Sequence, residues 1–432
     1  MKLLVVPTLF LLVSCSAAPH SSSRVLADEE TLPLTKPLGL NDVSIFMPIH
    51  TNPDILPLLP RLSDAPNPGA YIADFKDDPY ESQPFVYAWT EEERIKSHGL
   101  LPGRFTPQDI HDFRLVSIRI DPCTNGLQAT QPEDCVRELR LVWQLLDTEE
   151  NRNKLGSSAV LDSNIHTLYT LSREEFSDVL KTMRSLHEEA SIDTIAMPLL
   201  PHPVIAKEGV SSNYLKGVLG LVNRYARASK LTEVASFIGI SSIEWRMAHI
   251  AVKDGQAAPF PIPTQVDFDA KPSLRMTSTN DTSLNSDFGG GGTGHAFPIP
   301  QMSRFFGPEA AKMPERMPKT IEQKVTNMFA IENPTMHNPK NMDCVSCHIA
   351  SKQMSWLEDG ERYLGTKMPA LETFAKFRYT SSRWNLEAQF PIAENSLQIF
   401  SFDRGVLTRP VIAPRVINDS AETLDFISKH SL

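Results

Sequence analysis

Along residues 113–146, "FRLVSIRIDPCTNGLQATQPEDCVRELRLVWQLL", apolar and polar positions alternate twice. Val116, Ile118 and Ile120 interleave with Ser117 and Arg119; Leu139, Leu141, Trp143 and Leu145 interleave with Arg140 and Gln144. A period of two predicts two half-buried strands, and the Pro, Asn and Gly positions between them predict a turn-rich connection. The period lengthens in "SREEFSDVLKTMRSLHEEA", where Phe176, Val179, Leu180, Met183 and Leu186 share one helical face behind a Ser172–Glu175 capping box. "NYLKGVLGLVNRYARA" repeats the helical pattern through Tyr214, Val218, Leu221 and Tyr225, whereas "DVSIFMPI", "TEVASFIGI" and "IEWRMAHIAV" read as strands.

Beyond these elements, "APFPIPTQ" and the glycine run Gly289–Gly292 mark residues 256–300 as a Pro/Gly-rich linker. No Gly-Lys-Ser/Thr follows that run, so it does not read as a phosphate loop. After it, "TIEQKVTNMFA" and a final segment with Asp419 capping toward Glu422 predict helices, while "SLQIFSFDRG" and "TRPVIAPRVI" predict strands. The fold class expected is α+β: a mixed, β-rich N-terminal domain over 41–255, then a C-terminal region over 301–432. The 34 prolines, above the usual ~5%, argue against a helical bundle. A formal charge of −10 gives no basic footprint, so nucleic acid is not an expected partner.

The first residues change the cellular picture. "MKLLVVPTLFLLVSCSAAPHSSS" has Lys2, an apolar stretch from Leu3 to Val13, and small residues around Cys15. That stretch suits an export signal and is too short to span a bilayer. Leu12-Val13-Ser14-Cys15 resembles the lipobox of bacterial lipoproteins, in which cleavage before cysteine leaves a lipidated N-terminus. The resemblance implies a signal peptide over 1–14, a lipidated tether over 15–40 and membrane attachment through Cys15. With Ser16 following, it implies the outer membrane, on its periplasmic face or at the cell surface. An ordinary secretory signal is the alternative. Acyl chains bind at about 0.8 kcal/mol per buried methylene, which anchors a protein without a transmembrane helix.

Export makes the other cysteines readable, because unpaired thiols outside the cytoplasm are a liability. Cys123 and Cys135 flank the connection between the two predicted strands, where a disulfide would act as a staple worth roughly 3 kcal/mol. A catalytic dithiol would keep its cysteines in a short motif beside a helix start.

Cys344 and Cys347 stand in "NMDCVSCHIA". Cys-x-x-Cys-His is the attachment signature of haem c. Two intervening residues let one turn present both thiols to the vinyl groups on one porphyrin edge, and the next residue aims its imidazole at the iron. The motif resembles the c-type cytochromes, which implies that Cys344 and Cys347 form the thioethers and His348 is the proximal iron ligand. A zinc site would need a second ligand pair, and a thioredoxin-like dithiol would follow a strand rather than "NPTMHNPKNMD". Met368, in "YLGTKMPAL", resembles the Met-Pro segment that supplies the distal ligand in small cytochromes; His337 and His295 are the histidine alternatives. One haem c, covalently bound on a helical segment, is therefore the cofactor expected. The function expected is one-electron transfer with a periplasmic redox partner protein, an electron carrier rather than a catalyst. Two alternatives stand beside it: a haem-based enzyme or small-ligand sensor with an open iron site, and a binding or scaffold lipoprotein with a secondary haem.

Overall fold

In the computed structural model, the described residues are 37–49, 51–62, 113–145 apart from five turn positions, 153, 163–241, 244–253, 256–259, 275–277, parts of 322–337, 371–384 except 382, 400–401 and 411–430. All lie in one compact unit, 36–432. The frame is an antiparallel meander: β1 (Ser44–Phe46), β2 (Phe113–Asp121), β3 (Arg137–Leu145), β4 (Ser163–Leu171), β5 (Leu231–Ser241), β6 (Glu244–Lys253) and β7 (Gln256–Pro259), in that spatial order, with β8 (Arg275–Thr277) also on β6. Five helices accompany it among the described residues: α1 (Leu40–Val43), α2 (Arg173–Glu188), α3 (Pro203–Glu208), α4 (Asn213–Tyr225) and α5 (Pro414–Lys429). The chain is α+β. The helical segment expected to bear the haem lies outside the described residues.

The register explains why the sheet has one apolar face. Ile118 pairs with Leu141, which pairs with Thr167 and through it with Val234; Ile120, Leu139, Tyr169 and Leu231 form the next row. All these side chains are buried, because successive residues of a strand point to opposite faces. The alternation shifts at a bulge between Leu115 and Ser117, which leaves Val116 buried as well. Helix α2 crosses β3 and β4 and packs on α4. Its buried residues are Phe176, Val179, Leu180, Met183 and His187, with Leu186 partly buried at the margin. Ser172 accepts from the Glu175 N–H at 3.2 Å and the Glu175 carboxylate accepts from the Ser172 N–H at 2.8 Å, which completes the capping box.

The opposite face carries Ser44, Arg119 and Arg140 in one row and Asp121 with Glu138 in the next. Helix α5 covers its β1–β2 edge. Half-buried Arg119 donates to Ser420 Oγ at 2.9 Å, to Thr423 Oγ1 at 2.9 Å and to Ser44 Oγ at 3.0 Å. Val416, Ile417, Ala421, Leu424 and Ile427 of α5 join the same hydrophobic core as the sheet.

Two local expectations are corrected. "DVSIFMPI" is a strand only at Ser44–Phe46, because Leu40–Val43 form a helical turn fixed by Asp42, whose Oδ2 accepts the Gly39 N–H at 2.7 Å. The last helix starts at Pro414 rather than after Asp419. Proline suits a first helical turn, so "TRPVIAPRVI" is strand only at Val411–Ile412 and then turns helical. Asp419 is interior to α5 and pairs with Arg415 Nε at 3.1 Å, one turn earlier, instead of capping.

A disulfide joins Cys123 to Cys135, Cα atoms 4.6 Å apart, across the β2–β3 connection. Its surroundings brace the same turn: Arg137 donates to the carbonyls of Cys135 and Pro132, at 3.1 and 2.9 Å.

Candidate functional site

Of the residues to which the sequence assigns chemistry, Cys15, His295, Cys344, Cys347, His348 and Met368 lie outside the described residues. His337, Cys123 and Cys135 lie within them. The described chain does reach both ends of the segment 338–370 that carries the Cys-x-x-Cys-His motif, and the two ends meet.

The upstream end is a turn over 332–337. Asn333 builds it: its Oδ1 accepts from the Thr335 N–H at 3.0 Å and Thr335 Oγ1 at 2.7 Å, and its carbonyl accepts from the His337 N–H at 3.0 Å. Asparagine before proline suits such a turn, because its side chain mimics a backbone acceptor. The downstream end is a short helical turn, Leu371–Phe377. Asn333 Nδ2 donates to the Phe377 carbonyl at 3.0 Å and so ties one end to the other. Phe329 and Phe374 pack with ring centroids 5.8 Å apart, and the Arg378 guanidinium sits 4.8 Å from the Phe329 ring centre.

Both ends are fastened to α5. On the upstream side Arg415 Nη2 donates to the His337 carbonyl at 2.6 Å and Asn418 Nδ2 donates to the Glu332 carbonyl at 2.8 Å. Arg415 and Asn418 are themselves buried, and Asp419 holds the Arg415 guanidinium in place. On the downstream side Asp425 Oδ2 accepts from Tyr379 at 3.3 Å and Ser381 at 3.4 Å, and Arg383 donates to the Leu424 carbonyl at 3.4 Å. Burial raises the Tyr379 phenol above its ordinary pKa, with the Glu422 and Asp425 charges adding to it; burial likewise raises the Glu422 carboxyl. Both trends favour neutral groups at this end of the base.

Sequence reading missed Arg415, Asn418, Asn333 and Asp425, because their roles rest on hydrogen-bond partners 44–86 residues away. The one local signal was "ENP" at 332–334, a turn initiator without a stated role.

A second polar cluster lies within the core. Asp42 Oδ2 is 2.8 Å from His187 Nδ1, and Asp42 Oδ1 accepts from the Tyr214 hydroxyl at 2.8 Å. The Tyr214 ring packs 4.0 Å, centre to centre, from His202, whose Nδ1 accepts the Ile205 N–H at 3.5 Å. These four side chains are no more than 3% exposed. Burial lowers the His202 imidazole to about 4. The Asp42 carboxylate has its acceptor sites met by Gly39, Tyr214 and His187, so the cluster ties α1, α2 and α4 together and presents no reacting atom to solvent. Among the described residues no group of three or more His, Cys, Asp or Glu side chains has the arrangement to hold a metal ion, and no helix is long and apolar enough to cross a membrane.

No protein-family model, curated protein or solved structure matches this chain.

Proposed function

We propose that the chain is an exported c-type haem protein carrying one covalent haem at Cys344, Cys347 and His348, and that it moves single electrons between periplasmic partners. The observation that carries this reading is the "CVSCH" motif behind an export signal with a lipobox at Cys15. The donor set suits the group: two thiols at the spacing of one porphyrin edge and an adjacent imidazole as axial ligand. The paired ends of segment 338–370 support it further, because an electron carrier needs its cofactor held at a fixed place on a rigid fold.

Haem c supplies an Fe(III)/Fe(II) couple when bound. The chain's own residues do the rest. Cys344 and Cys347 would hold the haem through thioethers, His348 would ligate its iron, and a lipid on Cys15 would confine the protein to the outer membrane. Met368, His337 and His295 are the side chains proposed for the distal position. A redox partner protein meets the folded unit at the membrane surface.

The test is a pyridine haemochrome spectrum and a haem-stained denaturing gel of the full chain, expressed in a host that matures c-type haem. A covalent c-type spectrum at one haem per chain is expected, lost in Cys344→Ala with Cys347→Ala. Absence of covalent haem from the unaltered chain overturns the proposal. Six-coordinate low-spin iron then fits electron transfer, whereas iron that binds carbon monoxide at once fits the open-site enzyme or sensor.

A further inference from the structure

We infer that helix α5 is the mount of the haem-bearing segment and that Arg415, Asn418 and Asn333 are positioning residues for the haem; this rests on the reading of Cys344 to His348 as its attachment site.

The bonds are aimed at main chain. Arg415 and Asn418 donate to the carbonyls of His337 and Glu332, and Asn333 donates to the carbonyl of Phe377. Such bonds fix backbone position whatever side chains surround it, and removing a donor leaves a sheltered carbonyl unpaired, which costs free energy. His337 precedes Cys344 by seven residues, so the first thioether lies within roughly 25 Å of a clamped carbonyl even if the chain between them is fully extended. Downstream, Asp425 and the Leu424 carbonyl hold Tyr379, Ser381 and Arg383. One helix therefore grips both ends of the segment, with contacts about two turns apart along its length, from Arg415 and Asn418 to Leu424 and Asp425.

The helix is itself immobilised. Its Ser420 and Thr423 hydroxyls accept from Arg119 on β2, and Ser420 Oγ is 2.7 Å from Ser44 Oγ on β1. A single rigid path thus runs from the sheet through α5 to both ends of the segment. The bonds of the mount join protein groups only.

The experiment uses the full chain with its haem and reads the midpoint potential, the low-spin spectrum and the rate of carbon monoxide binding. Arg415→Gln and Asn418→Ala are each expected to shift the midpoint and to speed carbon monoxide binding several-fold. Arg415→Lys and Asn418→Gln, which keep a donor, are expected to restore much of the unaltered behaviour. Asp178→Ala is the control: it removes an acceptor on α2 for Tyr225 and Arg224 of α4, so it lowers stability without touching the mount. If Arg415→Gln and Asn418→Ala lower the melting temperature as Asp178→Ala does and leave potential, spectrum and ligand binding unchanged, the mount is wrong. Should either fail to fold, Asn333→Ala gives the same readouts, because it cuts the tie between the two ends and the Thr335 bonds of the upstream turn while leaving the bonds from α5 in place. A parallel measurement separates the two hypotheses. In the Cys344→Ala, Cys347→Ala background, amide exchange across 332–337 is expected to accelerate several-fold on Arg415→Gln. Acceleration there with no covalent haem in the unaltered chain sinks the haem reading and keeps the clasp; no acceleration sinks the clasp.

Discussion

Glu138 on β3 gives the most quantitative handle on the fold. The residue is 3% exposed, and its Oε2 faces Arg140 Nη2 at 3.7 Å without a hydrogen-bond donor among the described residues. Burial raises its carboxyl to about 7 from an ordinary 4.5, reinforced by Glu233 and Asp121 and only partly opposed by Arg140. A folded-state pKa above the unfolded one means that the native protein holds the extra proton between pH 4.5 and 7, so stability falls as pH rises through that window. Each unit is worth about 1.4 kcal/mol, which brings the loss to about 3 kcal/mol above pH 7. His202 acts in the opposite sense. Its folded pKa is lowered to about 4 from 6.5 by burial, so stability drops as pH falls from 6.5 to 4. Between pH 4.5 and 6.5 the two slopes oppose each other and nearly cancel. Glu138→Gln, which keeps the shape and removes the charge, should uncover the His202 slope: stability rising by about 1.4 kcal/mol per unit up to pH 6.5, then level. Its advantage over the unaltered chain should grow to about 3 kcal/mol by pH 8. The assay is urea unfolding followed by tryptophan fluorescence at half-unit steps from pH 4.5 to 8. Parallel stability curves for the variant and the unaltered chain would refute the reasoning.

Cys135→Ser opens the 12-residue disulfide span and should cost about 3 kcal/mol in chemical denaturation, a loss that reductant reproduces in the unaltered chain. Ser172→Ala removes the acceptor for the Glu175 N–H and should cost about 1 kcal/mol, read as a lower urea midpoint at unchanged slope. Gly39→Ala places a Cβ 2.7 Å from the Thr194 carbonyl oxygen; because that neighbour is main chain, the loop must shift and the loss should be about 1–3 kcal/mol by thermal melting. Cys344→Ala with Cys347→Ala should leave the far-ultraviolet dichroism and the melting temperature nearly unchanged, since the ends of the segment are held by protein contacts.

How far the sequence could be read depended on whether a residue's burial follows from its own polarity. In α2 and α4 it does. Phe176, Val179, Leu180 and Met183, and then Tyr214, Val218, Leu221 and Tyr225, are apolar and buried, so the helical period appears directly in the chain. The same holds for Ile118, Ile120, Leu139 and Leu141 on the apolar face of the sheet. It fails in α5. Arg415, Asn418, Ser420 and Thr423 are buried although polar, because the helix lies between the Arg119 face of the sheet on one side and the 332–337 turn on the other. A polar stripe of that kind reads as solvent-facing, and the isoleucines and valines left beside it imitate a strand. The early start at Pro414 was hidden for the same reason.

The candidate site divides along the same line. The residues proposed for haem attachment are legible because thioether and imidazole chemistry demands two cysteines and a histidine within five positions, and no fold is needed to bring them together. What ties the ends of their segment is written elsewhere: Asn333 and Phe377 stand 44 residues apart, and Asn418 and Glu332 stand 86 apart. No local pattern encodes such pairs, since each is only an amide meeting a carbonyl. The division has a mechanical consequence. A cofactor bound through neighbouring residues can be attached to a chain of any fold, but its potential depends on an environment that those neighbours do not define. That environment must come from distant segments, and in this chain α5 touches both ends of segment 338–370, where attachment is proposed, as well as the sheet.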